Sequence, residues 1–187
     1  MSAPEVTLAH CACDVVEVSA LRGGDAAVAA CTAARGLALP RVGELSCAPG
    51  MLALGGRPGR TLLVSAPLAP GAAATLWHET CGGQAAAVDL SSALSVLHLG
   101  GGALREALAR GCRLDLDPDL FPAGRVAATI IAQVATILAA LPAGMLILTP
   151  SSTARHWREW FAAAARPFGY QERPAVDLAA LCGDVQS

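Results

Sequence analysis

The chain has 187 residues, 54% of them hydrophobic and 15% charged, with a formal net charge of −2 and a pI of about 6.0. That is enough apolar material for a sizeable core, within reach of one domain and too short for two large ones. The basic residues, all arginine, gather into no patch suited to nucleic acid, so none is expected as a partner.

The N-terminal stretch MSAPEVTLAHCACDVV lacks the basic start and continuous apolar run of a secretory signal. From Cys13 to Ser19 the sequence alternates as a strand does. Asp25 to Arg35 is alanine-rich, follows Gly23-Gly24 and predicts a helix ended by Gly36. A stretch punctuated by proline and glycine follows, with a strand expected at Met51 to Leu54 and a clearer one at Thr61 to Ser65. Pro70 to Cys81 predicts a helix closed by Gly82-Gly83, and Ala86 to Leu90 a strand.

In the second half, Leu94 to Leu99 alternates as a strand, and Gly101 to Arg110 predicts a helix stopped at Gly111. The segment Gly111 to Gly124, GCRLDLDPDLFPAG, is long for a loop inside a compact domain. Its large apolar side chains argue for an ordered loop. Arg125 to Ala132, Ala135 to Leu141 and Met145 to Thr149 predict three strands, the last two joined by a tight turn at Pro142-Ala143-Gly144. The apolar stretch Val126 to Leu148 is interrupted by Gln133, Pro142 and Gly144, which suits successive buried strands and not a membrane span. Ser151 or Ser152 caps a helix running to about Ala165, and Val176 to Leu181 predicts a short one.

The two halves share an order of elements. TLLVSAPLAP (61–70) and MLILTPSSTA (145–154) each take an apolar strand into a proline and then a helix. The expectation is a single α+β domain over residues 1–187 with an internal duplication, its pseudo-repeats at about 13–83 and 94–165.

Local chemistry is sparse. Cys11-Ala12-Cys13 beside His10 is not a CxxC pair, and Cys31, Cys47, Cys81, Cys112 and Cys182 are scattered, so buried thiols and no metal site are expected. With seven cysteines and no export signal, the expected setting is a reduced cytoplasm. Nothing near His78, His98 or His156 pairs it with a nucleophile. Gly100-Gly101-Gly102 follows a strand and opens a helix, but position 105 is Arg, which breaks the GxGxxG pattern. Asp115, Asp117 and Asp119 alternate as in a calcium loop, yet positions six and twelve are Leu120 and Val126 where a glycine and a glutamate are needed. Aspartates capping turns are the simpler reading. Trp157, Trp160, Phe161 and Ala164 share one helical face, which suits the core and also a partly exposed tryptophan anchor for a partner.

The run VDLSSALSVLHLGGGALREALARGCRLDLDPDLFPAG (88–124) resembles the gamma subunit of heterotetrameric sarcosine oxidase and related N-methyl amino acid dehydrogenases. The resemblance continues through RVAATIIAQVATIL (125–138) and MLILTPSSTARHWREWF (145–161) to PFGY (167–170). Its hallmarks are GC-x-LDL-x-P with a following F-P-x-G, then a strand, proline and serine before a tryptophan-bearing helix. It departs from the family at Asp117, where a histidine is common, and at the plainer Ser92-Ala93-Leu94. The resemblance implies a fold similar to the folate-binding domain of the glycine-cleavage aminomethyltransferase. It further implies a non-catalytic subunit packed on an alpha subunit that carries NAD and handles tetrahydrofolate. FAD is then expected on beta, FMN between alpha and beta, and zinc on delta, with no cofactor, catalytic or metal-binding residue on this chain. Leu120, Phe121, Trp157 and Trp160 are the expected partner contacts. The alternative is a stand-alone folate-binding or aminomethyltransferase-like protein, in which Asp89 or Asp115 would hold the pterin ring.

Overall fold

A computed structural model describes residues 5–182. In chain order the elements are β1 (Val6–Ala12), β2 (Asp14–Ala20), α1 (Asp25–Ala33), β3 (Leu45–Ala48), β4 (Met51–Arg57), β5 (Arg60–Ser65), α2 (Ala72–Thr80), β6 (Ala85–Asp89), β7 (Leu94–Gly100), α3 (Leu104–Ala109), β8 (Val126–Ile131), β9 (Val134–Leu141), β10 (Gly144–Pro150), α4 (Ala154–Ala165), β11 (Tyr170–Glu172), β12 (Val176–Asp177) and α5 (Leu178–Cys182). The α+β class read from the sequence is what the structure has. No helix among the described residues is long and apolar enough to cross a membrane.

The chain divides into two compact units. The first-half unit comprises residues 12–92 and the described part of the C-terminal segment; the second-half unit comprises residues 93–176 and the N-terminal strand. In the first-half unit, one face of the sheet presents Val16, Val18, Ala53 and Leu63 to Val28 and Cys31 of α1 and to Ala73 and Trp77 of α2. In the second-half unit, Leu97, Leu99, Leu138, Met145 and Ile147 meet Leu104 and Leu108 of α3 and Trp157 and Phe161 of α4. Both cores follow the same logic: alternate strand positions face the helices, and each helix turns one stripe toward them.

The units repeat a topology. The first-half unit runs β2, α1, β3, β4, β5, α2, β6, and the second-half unit runs β7, α3, β8, β9, β10, α4, β11. The strand order is β3-β4-β5-β2-β6 in one sheet and β8-β9-β10-β7-β1-β11 in the other, with β12 beside β1. Equivalent strands occupy equivalent places, except that β1 is inserted between β7 and β11. The two similar strand–proline–helix segments, 61–70 and 145–154, are β5 with α2 and β10 with α4, which hold the same position in the two units.

Four strands escape the sequence reading: β1, β3, β11 and β12. The first carries His10 and Cys11 and sits near the chain end, β3 and β11 are only four and three residues long, and β12 has two residues at the start of the stretch read as a short helix. One turn also differs. β8 and β9 are joined by Ala132-Gln133, both at positive φ (51° and 66°), the backbone of a tight hairpin turn usually given to Asn-Gly. Without Asn or Gly there, the sequence offered no turn signal.

Candidate functional site

The loop from Gly111 to Gly124 is ordered because it is fastened from both sides. Asp115 accepts the amide of Asp117 at 3.0 Å, and Asp117 accepts that of Asp119 at 2.9 Å. The carbonyl of Asp117 then accepts the amides of Leu120 and Phe121 at 3.0 and 2.8 Å. These are Asx turns followed by a helical turn, and they use the aspartates as caps. From α3, the Arg105 guanidinium donates to the carbonyls of Leu116 and Phe121. Leu116 and Phe121 point into the core, 5% and 4% exposed, while Leu120 stands out at 64%. The fastened loop therefore presents Leu120 as a rigid apolar knob.

Arg105 is the strut of this arrangement, and nothing in its sequence neighbourhood marks it. Replacing it by methionine keeps the apolar stem and removes both donors to buried or turn carbonyls. The expected loss is about 1.5–3 kcal/mol, the scale of a hydrogen bond to a charged group. Hydrogen exchange checks this: amides of Leu120 and Phe121 should exchange faster in Arg105→Met while those of β9 and β10 keep their protection. Unchanged exchange in the loop would show that the aspartate turns suffice without the arginine.

The residues expected to contact a partner separate into two groups. Leu120 is exposed and Trp160 is half-buried. Phe121 and Trp157 lie inside the second-half core and offer no surface, so the expectation of partner contact by these two gives way to core packing. The cause is aromatic stacking: Trp157 lies 5.3 Å from Phe161 with the rings 16° apart, and edge-on to Trp160 at 6.0 Å. The core reading of this helix face holds for Trp157, Phe161 and Ala164.

His78 Nδ1 lies 3.1 Å from the Ala85 carbonyl, and His98 Nε2 lies 3.2 Å from that of Ala143. Burial holds the His98 imidazole below its ordinary pKa, which favours the neutral ring. His10 and His156 are exposed. Among the described residues no group of three or more His, Cys, Asp or Glu side chains is placed to hold a metal ion. Burial pushes the Cys47 and Cys81 thiols up to about 11, so neither is a thiolate nucleophile at neutral pH.

In Gly100-Gly101-Gly102 it is Gly101 that packing requires. Gly101 has φ +109°, and a Cβ there would overlap the backbone of Glu5. The two carboxylates considered for a pterin are occupied locally. Asp89 accepts the amides of Ser91 at 2.9 Å and Gly71 at 3.1 Å, and its pKa is lowered first by the Ser91 hydroxyl. Asp115 caps its own turn.

A second apolar surface, not read from the sequence, lies in the first-half unit. A cleft of about 210 Å³ is lined by Met51, Leu68, Leu76 and Trp77, with Leu68 and Leu76 51% and 43% exposed. The sequence signal was slight: Leu76 falls on the outer face of α2, and Leu68 lies in a proline-rich connection.

No family model matches the chain, and no curated protein matches it. Among solved structures, it is similar to a chain of heterotetrameric sarcosine oxidase from Corynebacterium sp. U-96, solved with pyrrole 2-carboxylate. The TM-score is 0.79 at 29% identity, covering 92% of this chain and 90% of that one. The resemblance read from the sequence is thus matched in structure over nearly the whole length. The chain is also similar in fold to aminomethyltransferase T of the glycine cleavage system from Bartonella henselae. There the TM-score is 0.65 at 16% identity, covering 95% of this chain and 49% of that one.

Proposed function

We propose that this chain is a non-catalytic, gamma-type subunit of a sarcosine oxidase-like heterotetramer that oxidatively demethylates an N-methyl amine or amino acid. The observation that carries this reading is the end-to-end match, 92% of this chain on 90% of one sarcosine oxidase chain. A match over nearly the whole of both chains supports the subunit reading. By contrast the chain spans about half of the aminomethyltransferase, at an identity where only the fold is shared.

In this reading the chain packs on an alpha subunit, with beta and delta completing the complex in the cytoplasm. FAD, FMN, NAD, tetrahydrofolate and zinc belong to those partners. The fastened knob at Leu120 and the Leu68–Leu76 cleft supply apolar contact area, and rigid presentation lowers the ordering cost of association.

Co-expression with an alpha-type subunit tests the proposal. The two chains are expected to co-purify. Leu120→Asp should weaken the pair by about tenfold or more, because a carboxylate would be buried without a partner. Circular dichroism of the free variant should be unchanged, since Leu120 contributes nothing to its own core. A chain that stays a separate monomer with every alpha-type subunit offered would overturn the reading.

A further inference from the structure

We propose that the first-half unit holds a binding site for a small organic anion, a carboxylate or phosphate joined to a short apolar body. The site is a cleft of about 310 Å³ between the 39–42 turn and the end of the β4–β5 hairpin. That volume lies at the lower end of the range of pockets that hold small molecules, roughly 300–1,000 Å³. Val18, Val28 and Leu39 supply its apolar side, and Arg41, Arg57 and Arg60 also line it.

The wall of the cleft depends on a specific backbone device. β4 shifts register between Leu54 and Arg57, and the turn docks onto the strand there. Gly43 N donates to Gly55 O at 2.7 Å, Gly55 N to Glu44 O at 3.0 Å, and Glu44 N to Arg41 O at 3.0 Å. A Cβ on residue 55 would overlap the Arg41 carbonyl, lying 2.8 Å from its carbon, so glycine is what permits the approach. Irregularities of this kind re-aim strands and side chains. Here the result is that arginines from two separate segments reach one opening.

Two of the guanidinium groups are unpaired among the described residues. Arg60 pairs with Glu17 at 2.8 Å, Asp25 also lines the cleft, and the Glu44 carboxylate is taken up by the Arg41 backbone amide at 3.3 Å. Among the described residues Arg41 and Arg57 form no ion pair. A guanidinium is a planar fork of donors that matches carboxylate and phosphate geometry. The apolar side, with Leu39 and Val42 38% and 56% exposed, selects an anion with a body over a bare ion. This inference stands apart from the subunit reading and uses none of its residues.

The test is a titration of the full chain, followed by NMR or calorimetry, with phenyl phosphate, benzoate and inorganic phosphate in parallel. Saturable binding of phenyl phosphate or benzoate is expected, tighter than that of inorganic phosphate; the stronger of the two names the headgroup. Arg41→Ala and Arg57→Ala should each weaken it by about tenfold, the loss of one charge-assisted hydrogen bond. Both side chains are exposed, so the unfolding midpoint should not move. The proposal falls if no probe saturates at millimolar concentration, if both variants bind as the parent does, or if inorganic phosphate binds as well as the organic probes. It falls also if no probe binds and an assembled complex shields Arg41 and Arg57 from arginine-selective modification, which would make the cleft a protein interface.

Discussion

Trp157→Ala is expected to lower the stability of the second-half unit by about 3–5 kcal/mol, the usual cost of truncating a large buried aromatic side chain. Trp157 is fully buried, stacked on Phe161 and edge-on to Trp160. The cavity left behind lies in the packed interior, and the α4 backbone cannot collapse into it without pulling Phe161 off the sheet. Total stabilities of domains are about 5–15 kcal/mol, so the variant should sit near its unfolding threshold. A contrast sharpens the test. Trp157 Nε1 is buried with no hydrogen-bond partner among the described residues, a defect that typically costs about 1–3 kcal/mol. Trp157→Phe removes that unpaired donor while keeping an aromatic ring, so it should lose far less. Denaturant midpoints followed by circular dichroism give both values. Equal losses for Ala and Phe would mean that the ring's fit, and not its volume, is what the core needs.

Gly101→Ala is expected to cost about 3 kcal/mol or more, from backbone strain and overlap together. Gly101 adopts φ +109°, a region closed to side-chain-bearing residues. Its missing Cβ would overlap Glu5 O, lying 2.6 Å from Glu5 C and 2.9 Å from Val6 N. These are backbone atoms, so no rotamer change relieves the clash. They open β1, which pairs with β7 from Thr7↔Gly100 to His10↔Leu97 and with β11 from Val6↔Tyr170. The substitution should therefore loosen β1 and deprive β11 of its neighbour. Gly102→Ala, with nothing within 4 Å of the added atom, is the matched control and should stay within about 0.5 kcal/mol of the parent. Hydrogen exchange in β1 and the unfolding midpoint report the difference. If the two alanine variants behaved alike, the close approach at Glu5 would have no energetic weight.

These two substitutions differ in how far the sequence foretold them. The core face of α4 was legible because Trp157, Phe161 and Ala164 recur at helical spacing, which is a property of neighbours along the chain. The triple glycine was visible, but its partner at Glu5 lies nearly the whole length of the chain's first half away. A glycine run read alone suggests a phosphate loop or a tight turn; only the docking of β1 makes it a packing necessity.

The loop shows the same boundary at the scale of one peptide bond. The residues alone mark Gly111 to Gly124 as an ordered connector, through its prolines, its turn-capping aspartates and its large apolar side chains. The α+β class, the alternation of strands and helices, and the repeated order of elements are equally legible, because each rests on periodicity and turn chemistry within a few residues. That Phe121 turns inward and Leu120 outward follows from no local pattern. That choice is made by Arg105 on α3 and by the turn closed at the Asp117 carbonyl. Tertiary structure also placed β1 between β7 and β11, and brought Arg41 to the same cleft as Arg57 and Arg60. The physical reason is common to all three. Local hydrogen bonding and side-chain periodicity are written in adjacent residues, whereas strand pairing and side-chain convergence depend on which distant segments the chain brings together.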